Sequence, residues 1–143
     1  MSDWFSYAVG AAIFYGLHQV FTKLAAARIS DGLGGFLVEA TAALAIAIYL
    51  IFLKTSGRWS QTGTALGYVY SILTGVCVGV GTLFFFWAFQ KGAPLSSVPT
   101  ILAAGAALMA VIGIIFFHES THWVRLLGIA LSICGLLLIR NTP

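Results

Sequence analysis

The sequence predicts an all-α integral membrane fold, a bundle of five transmembrane helices with almost nothing left over for a water-soluble domain. Three observations predict it. Of the 143 residues, 60% are hydrophobic and only 8% are charged, whereas a soluble domain carries roughly 25% charged residues. Mean hydropathy is +1.01, so the polar side chains are too few to cover a water-facing core. The apolar residues also gather into five runs, each close to the ~20 residues that cross a bilayer as a helix.

The runs are about 4–26, 34–53, 65–89, 95–117 and 123–139, read as one domain over 1–143. The first has no basic residue before it and exceeds the about 7–15 residues of a signal-peptide core, so it is expected to stay as a span. Between the runs, 28–35 reads as a turn, 54–63 is the longest polar stretch, and 91–94 and 118–122 are tight connections. Links this short make successive helices antiparallel neighbours. Helices satisfy their own backbone hydrogen bonds in lipid, and the alternating strands of a β-barrel are absent from the pattern. Trp4, Trp87 and Trp123 fall near span ends and Trp59 in a loop, as in an interfacial aromatic belt.

Cys77 and Cys134 both lie inside apolar runs and read as small packing residues rather than a disulfide or metal pair. The formal charge of +3 comes from short loops, where basic residues meet anionic lipid head groups; nothing points to nucleic acid. An odd number of spans puts the termini on opposite sides. Lys54, Arg58 and Arg125 then share the N-terminal side, and Lys23, Arg28, Lys91 and Arg140 the other. So even a balance leaves the positive-inside rule little to act on. Either copies insert both ways and pair antiparallel, or one charge or loop decides a single orientation.

The first span carries a polar stripe. Tyr15, His18, Gln19, Thr22 and Lys23 are spaced i, i+3, i+4, i+7, i+8, one face of a helix. Such a face is turned from lipid toward a cavity or toward interhelical hydrogen bonds. Glu39, near the start of the second span, is at a depth similar to that of Lys23. The two can form an ion pair, either structural or at a proton or cation site. His18 is a candidate relay or substrate contact, set against an ordinary packing histidine. Gly75 and Gly79 make a small-xxx-small pattern, followed by Gly81 and Thr82; residues 103–107 are all Ala or Gly, and Gly128, Ser132 and Gly135 follow in the fifth span. These small residues predict close helix packing, with room for a partner or a cavity. No phosphate loop, metal cluster or Ser/His/Asp spacing stands out. His118, Glu119 and His122 share a short loop and read as capping of the fifth span rather than a zinc site.

Three segments carry a resemblance. Residues 15–23, Tyr-Gly-Leu-His-Gln-Val-Phe-Thr-Lys, resemble the first-helix signature of the EamA-like domain. Residues 86–94, Phe-Trp-Ala-Phe-Gln-Lys-Gly-Ala-Pro, resemble its aromatic-x-Ala-x-x-x-Gly close of the third helix. Phe116-Phe-His-Glu119, followed by the glycine-bearing run 127–135, resembles the end of the domain. The resemblance covers nearly the whole chain and implies the drug/metabolite transporter superfamily, whose typical members carry two such domains in inverted orientation. It implies that this chain is half of an inverted-repeat transporter, paired with itself or with a paralogous chain. Many members have a proline midway along the fourth helix; here Pro94 and Pro99 lie earlier, which puts a mid-helix kink in doubt.

The resulting expectation is a secondary transporter or facilitator, not an enzyme, that exports a small organic metabolite from a prokaryotic inner membrane and works as a homodimer or paralogous pair without a cofactor. Tyr15, His18, Gln19, Thr22 and Thr82 are the expected cavity residues, and Glu39 with Lys23 the coupling group or ion pair. A non-transporting subunit of a larger membrane complex is the alternative, and flipping of a lipid-linked substrate a third use of the same fold.

Overall fold

The computed structural model describes residues 3–118 and 122–140. They form five α-helices: α1 (Asp3–Ala26), α2 (Asp31–Thr55), α3 (Ala65–Gln90), α4 (Val98–Phe116) and α5 (Trp123–Arg140), with a single 3₁₀ turn, Leu95–Ser97, before α4. No strand occurs among the described residues. The chain divides into two compact units, Met1–Gly92 and Ala93–Pro143.

Among the described residues, three helices are long and apolar enough to cross a membrane: α2, α3, and α4 together with its preceding turn. The five expected spans are thus matched by five helices, three of which qualify as crossings among the described residues. The polar residues His18, Gln19 and Lys23 of α1 dilute its hydropathy.

Local chemistry explains the helix ends. α2 closes in a left-handed turn: Gly57 has φ +68°, its N–H reaches Lys54 O, and Arg58 N–H reaches Leu53 O at 3.0 Å. This is the paired-bond Schellman arrangement, which glycine enters without a Cβ penalty. At the start of α3, the Thr64 hydroxyl accepts the Gly67 N–H at 3.1 Å, a side-chain cap of the usual kind. α3 ends with Gly92 at φ +89°. Pro99 sits in the first turn of α4, where its missing N–H costs nothing, and the helix runs unbroken to Phe116.

In the first unit, α3 packs against both α1 and α2. As α2 climbs from its start, α3 descends from its end. Ile29 O accepts from Gln90 Nε2 at 3.3 Å, Asp31 accepts from the Trp87 indole, and Glu39 Oε1 accepts from Thr82 Oγ1 at 2.6 Å. The register depends on Gly34 and Gly35. A methyl on Gly34 would lie 2.6 Å from Phe86 Cζ, and one on Gly35 would lie 3.1 Å from Leu83 Cδ2. The turn expected over 28–35 is therefore shorter: these glycines lie inside α2 and let the Phe86 ring, 0% exposed, seat against the helix backbone.

In the second unit, α4 packs on α5. The less exposed residues Ala103, Ala107, Ala110 and Gly113 share one face of α4, and Gly135 on α5 is in ordinary contact range of Thr100. The small-residue expectation holds there. It does not hold for α3, where Gly75, Gly79 and Gly81 have open space beyond their Cα atoms. Cys77 and Cys134 are free and exposed, each on a helix face that no neighbour in this chain covers. Ahead of α5, the His122 ring accepts from Val124 N–H at 3.4 Å, so a histidine supplies part of the expected cap. Glu119 and the side chains of Trp4, Arg125 and Arg140 lie outside the described residues.

Candidate substrate cleft

Polarity in the first unit is inside out. Phe14, Phe21, Phe36, Ile46 and Ile72 are exposed, while Gln19, Thr22 and Thr82 are buried. A soluble protein arranges these types the other way round; a protein in lipid turns its polar groups toward other helices or a cavity.

The α1 stripe accounts for most of the buried polar groups. Thr22 is 2% exposed and its hydroxyl donates to His18 O at 2.8 Å, a bond that satisfies the hydroxyl within its own helix. Gln19 Oε1 and His18 Nδ1 are buried without a hydrogen-bond partner. Leaving a buried polar atom unpaired costs about 1–3 kcal/mol, so these two atoms stand out as places where a further group would be stabilising. Tyr15 is exposed. Lys23 places its ammonium 5.9 Å from the centroid of the Phe89 ring, within reach of a cation–π attraction.

A cleft of about 420 Å³ opens between α1 and α2, with His18, Phe21, Thr22 and Ala25 on one wall and Val38, Thr41 and Ala42 on the other. Of the expected cavity residues, His18 and Thr22 line it. Gln19 and Thr82 are buried elsewhere in the unit, and Thr82 is joined to Glu39. That bond brings together the expected coupling carboxylate and one expected cavity residue across 43 positions of sequence. Phe21, Ala25, Val38, Thr41 and Ala42 also line the cleft, and the sequence does not signal them: an apolar side chain on a membrane helix carries nothing that separates a cleft wall from a lipid face, and a lone threonine such as Thr41 bonds back to its own helix. Among the described residues no group of His, Cys, Asp and Glu is placed to hold a metal ion.

The EamA-like transporter family model matches residues 3–141. The chain belongs to the EamA-like transporter family. The match runs through both compact units and across all five helices of this EamA-like chain. Among its relatives is the uncharacterized transporter in cobO 3'region of a Sinorhizobium species, 24% identical over 144 residues, covering 96% of each chain. An uncharacterized protein of Methanocaldococcus jannaschii is 27% identical over 128 residues, covering 90% of this chain and 89% of its own. No solved structure matches. Family membership and the three span-length helices make this EamA-like chain an integral membrane protein of a transporter family.

Proposed function

We propose that the protein is a carrier that exports a small organic metabolite, working as a dimer of five-helix domains whose polar α1 faces line the path. The observation that carries this reading is the pair of buried, unpartnered polar atoms on α1, His18 Nδ1 and Gln19 Oε1, with His18 lining an open cleft. A purely structural stripe would have its polar atoms paired.

Pairing is supported by two further facts. The near-even split of basic residues between the two sides suits antiparallel insertion of two copies, and an inverted pair with a central site is a general carrier design. The open face of α3 around Gly75 and Gly79 is of the kind that admits a second helix closely. Tyr15, exposed in a single chain, then meets the partner domain. Glu39 is the proposed coupling group, because an ion drives a carrier only by binding its two states unequally, and Thr82 on α3 would sense its protonation directly. The membrane is proposed to be a prokaryotic inner membrane.

The test is reconstitution of the full chain in liposomes preloaded with a mixed panel of small amines, amino acids, nucleosides and organic acids, with release measured by mass spectrometry. Protein-dependent release of at least one compound is expected, with loss in His18→Ala and Gln19→Ala. If every compound is retained as well as in protein-free liposomes, the carrier reading fails, and isolation of the chain as a stoichiometric member of another membrane complex would replace it.

A further inference from the structure

We infer that Thr82 is a positioning residue for Glu39: it holds one carboxylate oxygen across the α2–α3 contact and leaves the other as the atom that takes up a proton. The inference rests on the reading of Glu39 as the coupling group and names the side chain that sets how tightly its proton is held.

A threonine or serine hydroxyl has one hydrogen to give. Inside a helix that hydrogen commonly goes to the carbonyl one turn back. Thr22, Thr41, Thr55, Ser71, Thr74 and Ser132 do this, each donating to the carbonyl four residues earlier at 2.7–3.1 Å. Thr82 departs from the pattern. Its hydroxyl leaves α3 and donates to Glu39 Oε1 on α2 at 2.6 Å, the length of a bond to an ionised acceptor.

The other branch of Thr82 is fixed as well. A methyl on Gly35 would lie 3.9 Å from Thr82 Cγ2, so the threonine methyl is turned to α2 beside that glycine. Gly35 and Glu39 are one turn apart and share a face of α2. The two branches of Thr82 thus meet the same face, the methyl near Gly35 and the hydroxyl at Glu39. A β-branched side chain has few χ1 settings, and Thr82 is 4% exposed, so packing holds it in this one. Valine would reproduce the shape without the bond.

Other charges do not take over the role. Glu39 is half-buried, and α3 and α1 pack on α2. α3 holds no Asp, Glu, Lys, Arg or His, and its Tyr68, Tyr70 and Cys77 are exposed. On α1, Tyr7 and Tyr15 are exposed, and His18 lines the cleft with Val38. Lys23 reaches the Phe89 ring, which lies about 10 Å further along α3 than Thr82 by helix rise. On α2 itself, Asp31 accepts from the Trp87 indole. The donor set directly on the carboxylate is the Thr82 hydroxyl. Such a donor favours the ionised form, because a hydrogen bond to a charged acceptor is the stronger one.

The experiment is an infrared titration of the full chain in phosphatidylcholine vesicles, with the Glu39 carboxyl band identified by its loss in Glu39→Gln. Thr82→Val and Thr82→Ala should lower the proton concentration that half-saturates Glu39 about threefold to tenfold, and Thr82→Ser should stay within about twofold of wild type. The pH profile of flux should move by the same factor. Half-saturation unchanged in both Thr82→Val and Thr82→Ala overturns the assignment even where thermal midpoints fall, since Thr82 is then only a packing residue. A serine variant displaced as far as the valine variant overturns it too. A titration that follows the hydroxyl in a chain that carries no compound keeps the positioning role and removes the carrier reading. Flux driven by a pH gradient, with a titration indifferent to residue 82, does the reverse.

Discussion

The two compact units hold their helices together by different means. In the first, α2 and α3 are joined by side-chain hydrogen bonds at Asp31–Trp87 and Glu39–Thr82, around a fully buried phenylalanine set against glycine. In the second, α4 meets α5 through alanines, glycines and a threonine methyl, and Ser132 bonds only within its own helix, to Gly128 O at 3.0 Å. Lipid tails are as apolar as leucine, so neither unit gains from hydrophobic burial as a soluble core would; packing and hydrogen bonds must suffice. The unit that uses polar links also holds the cleft and the unpartnered atoms. Polar groups in a membrane are costly, and in the first unit they are concentrated where the proposed substrate and coupling sites lie.

The sharpest way to break this contrast is at glycine. Gly34→Leu should prevent the first unit from assembling, and Gly34→Ala should cost about 1–3 kcal/mol, the range for overpacking, because the added methyl meets a buried ring with no free space to move. Gly135→Ala in the second unit should be tolerated, since a methyl there would sit at 3.6 Å from Thr100 Cγ2. Thermal midpoints in detergent check both; equal losses at the two positions would remove the distinction. The next effect is functional. Glu39→Gln should eliminate the dependence of flux on a pH gradient while keeping an acceptor for Thr82, and gradient-driven release that survives in the variant rules Glu39 out as the coupling group. Smaller still is Thr82→Val. It removes the α2–α3 bond and should cost about 0.6 kcal/mol, at most about 1.7, the measured scale for such bonds in a membrane protein. Ser132→Ala should change stability by less than about 0.5 kcal/mol; a larger loss would mean that the second unit also depends on polar contacts.

Hydropathy and punctuation placed the helices well. The expected 65–89 and 123–139 differ by a residue at one end from Ala65–Gln90 and Trp123–Arg140; Thr64 caps the start of α3 and Gly92 closes its end. The start of α2 was misjudged for a physical reason. Gly34 and Gly35 look like turn residues in isolation, and only the approach of Phe86 from α3 shows that they are packing glycines within a helix. At Gly75 and Gly79 the small-residue pattern says that close approach is permitted but not which helix approaches, and no helix of this chain takes that place. At the site, helical periodicity was enough to single out His18 and Thr22, because a polar stripe is visible against an apolar background. The Glu39–Thr82 bond was not legible as a contact. It depends on the depth and rotation of two separate helices, which composition leaves undetermined, although both residues had been singled out separately.

The central claim is that one five-helix domain conducts nothing until a second copy completes the path along α1. Mixing wild-type chains with His18→Ala chains in defined ratios, reconstituting them together and measuring release of a transported compound tests it most directly. Release that falls with the square of the wild-type fraction is the predicted result, since both copies must contribute an intact α1. Release that declines in direct proportion to that fraction would mean that each chain works alone, and the account would be wrong.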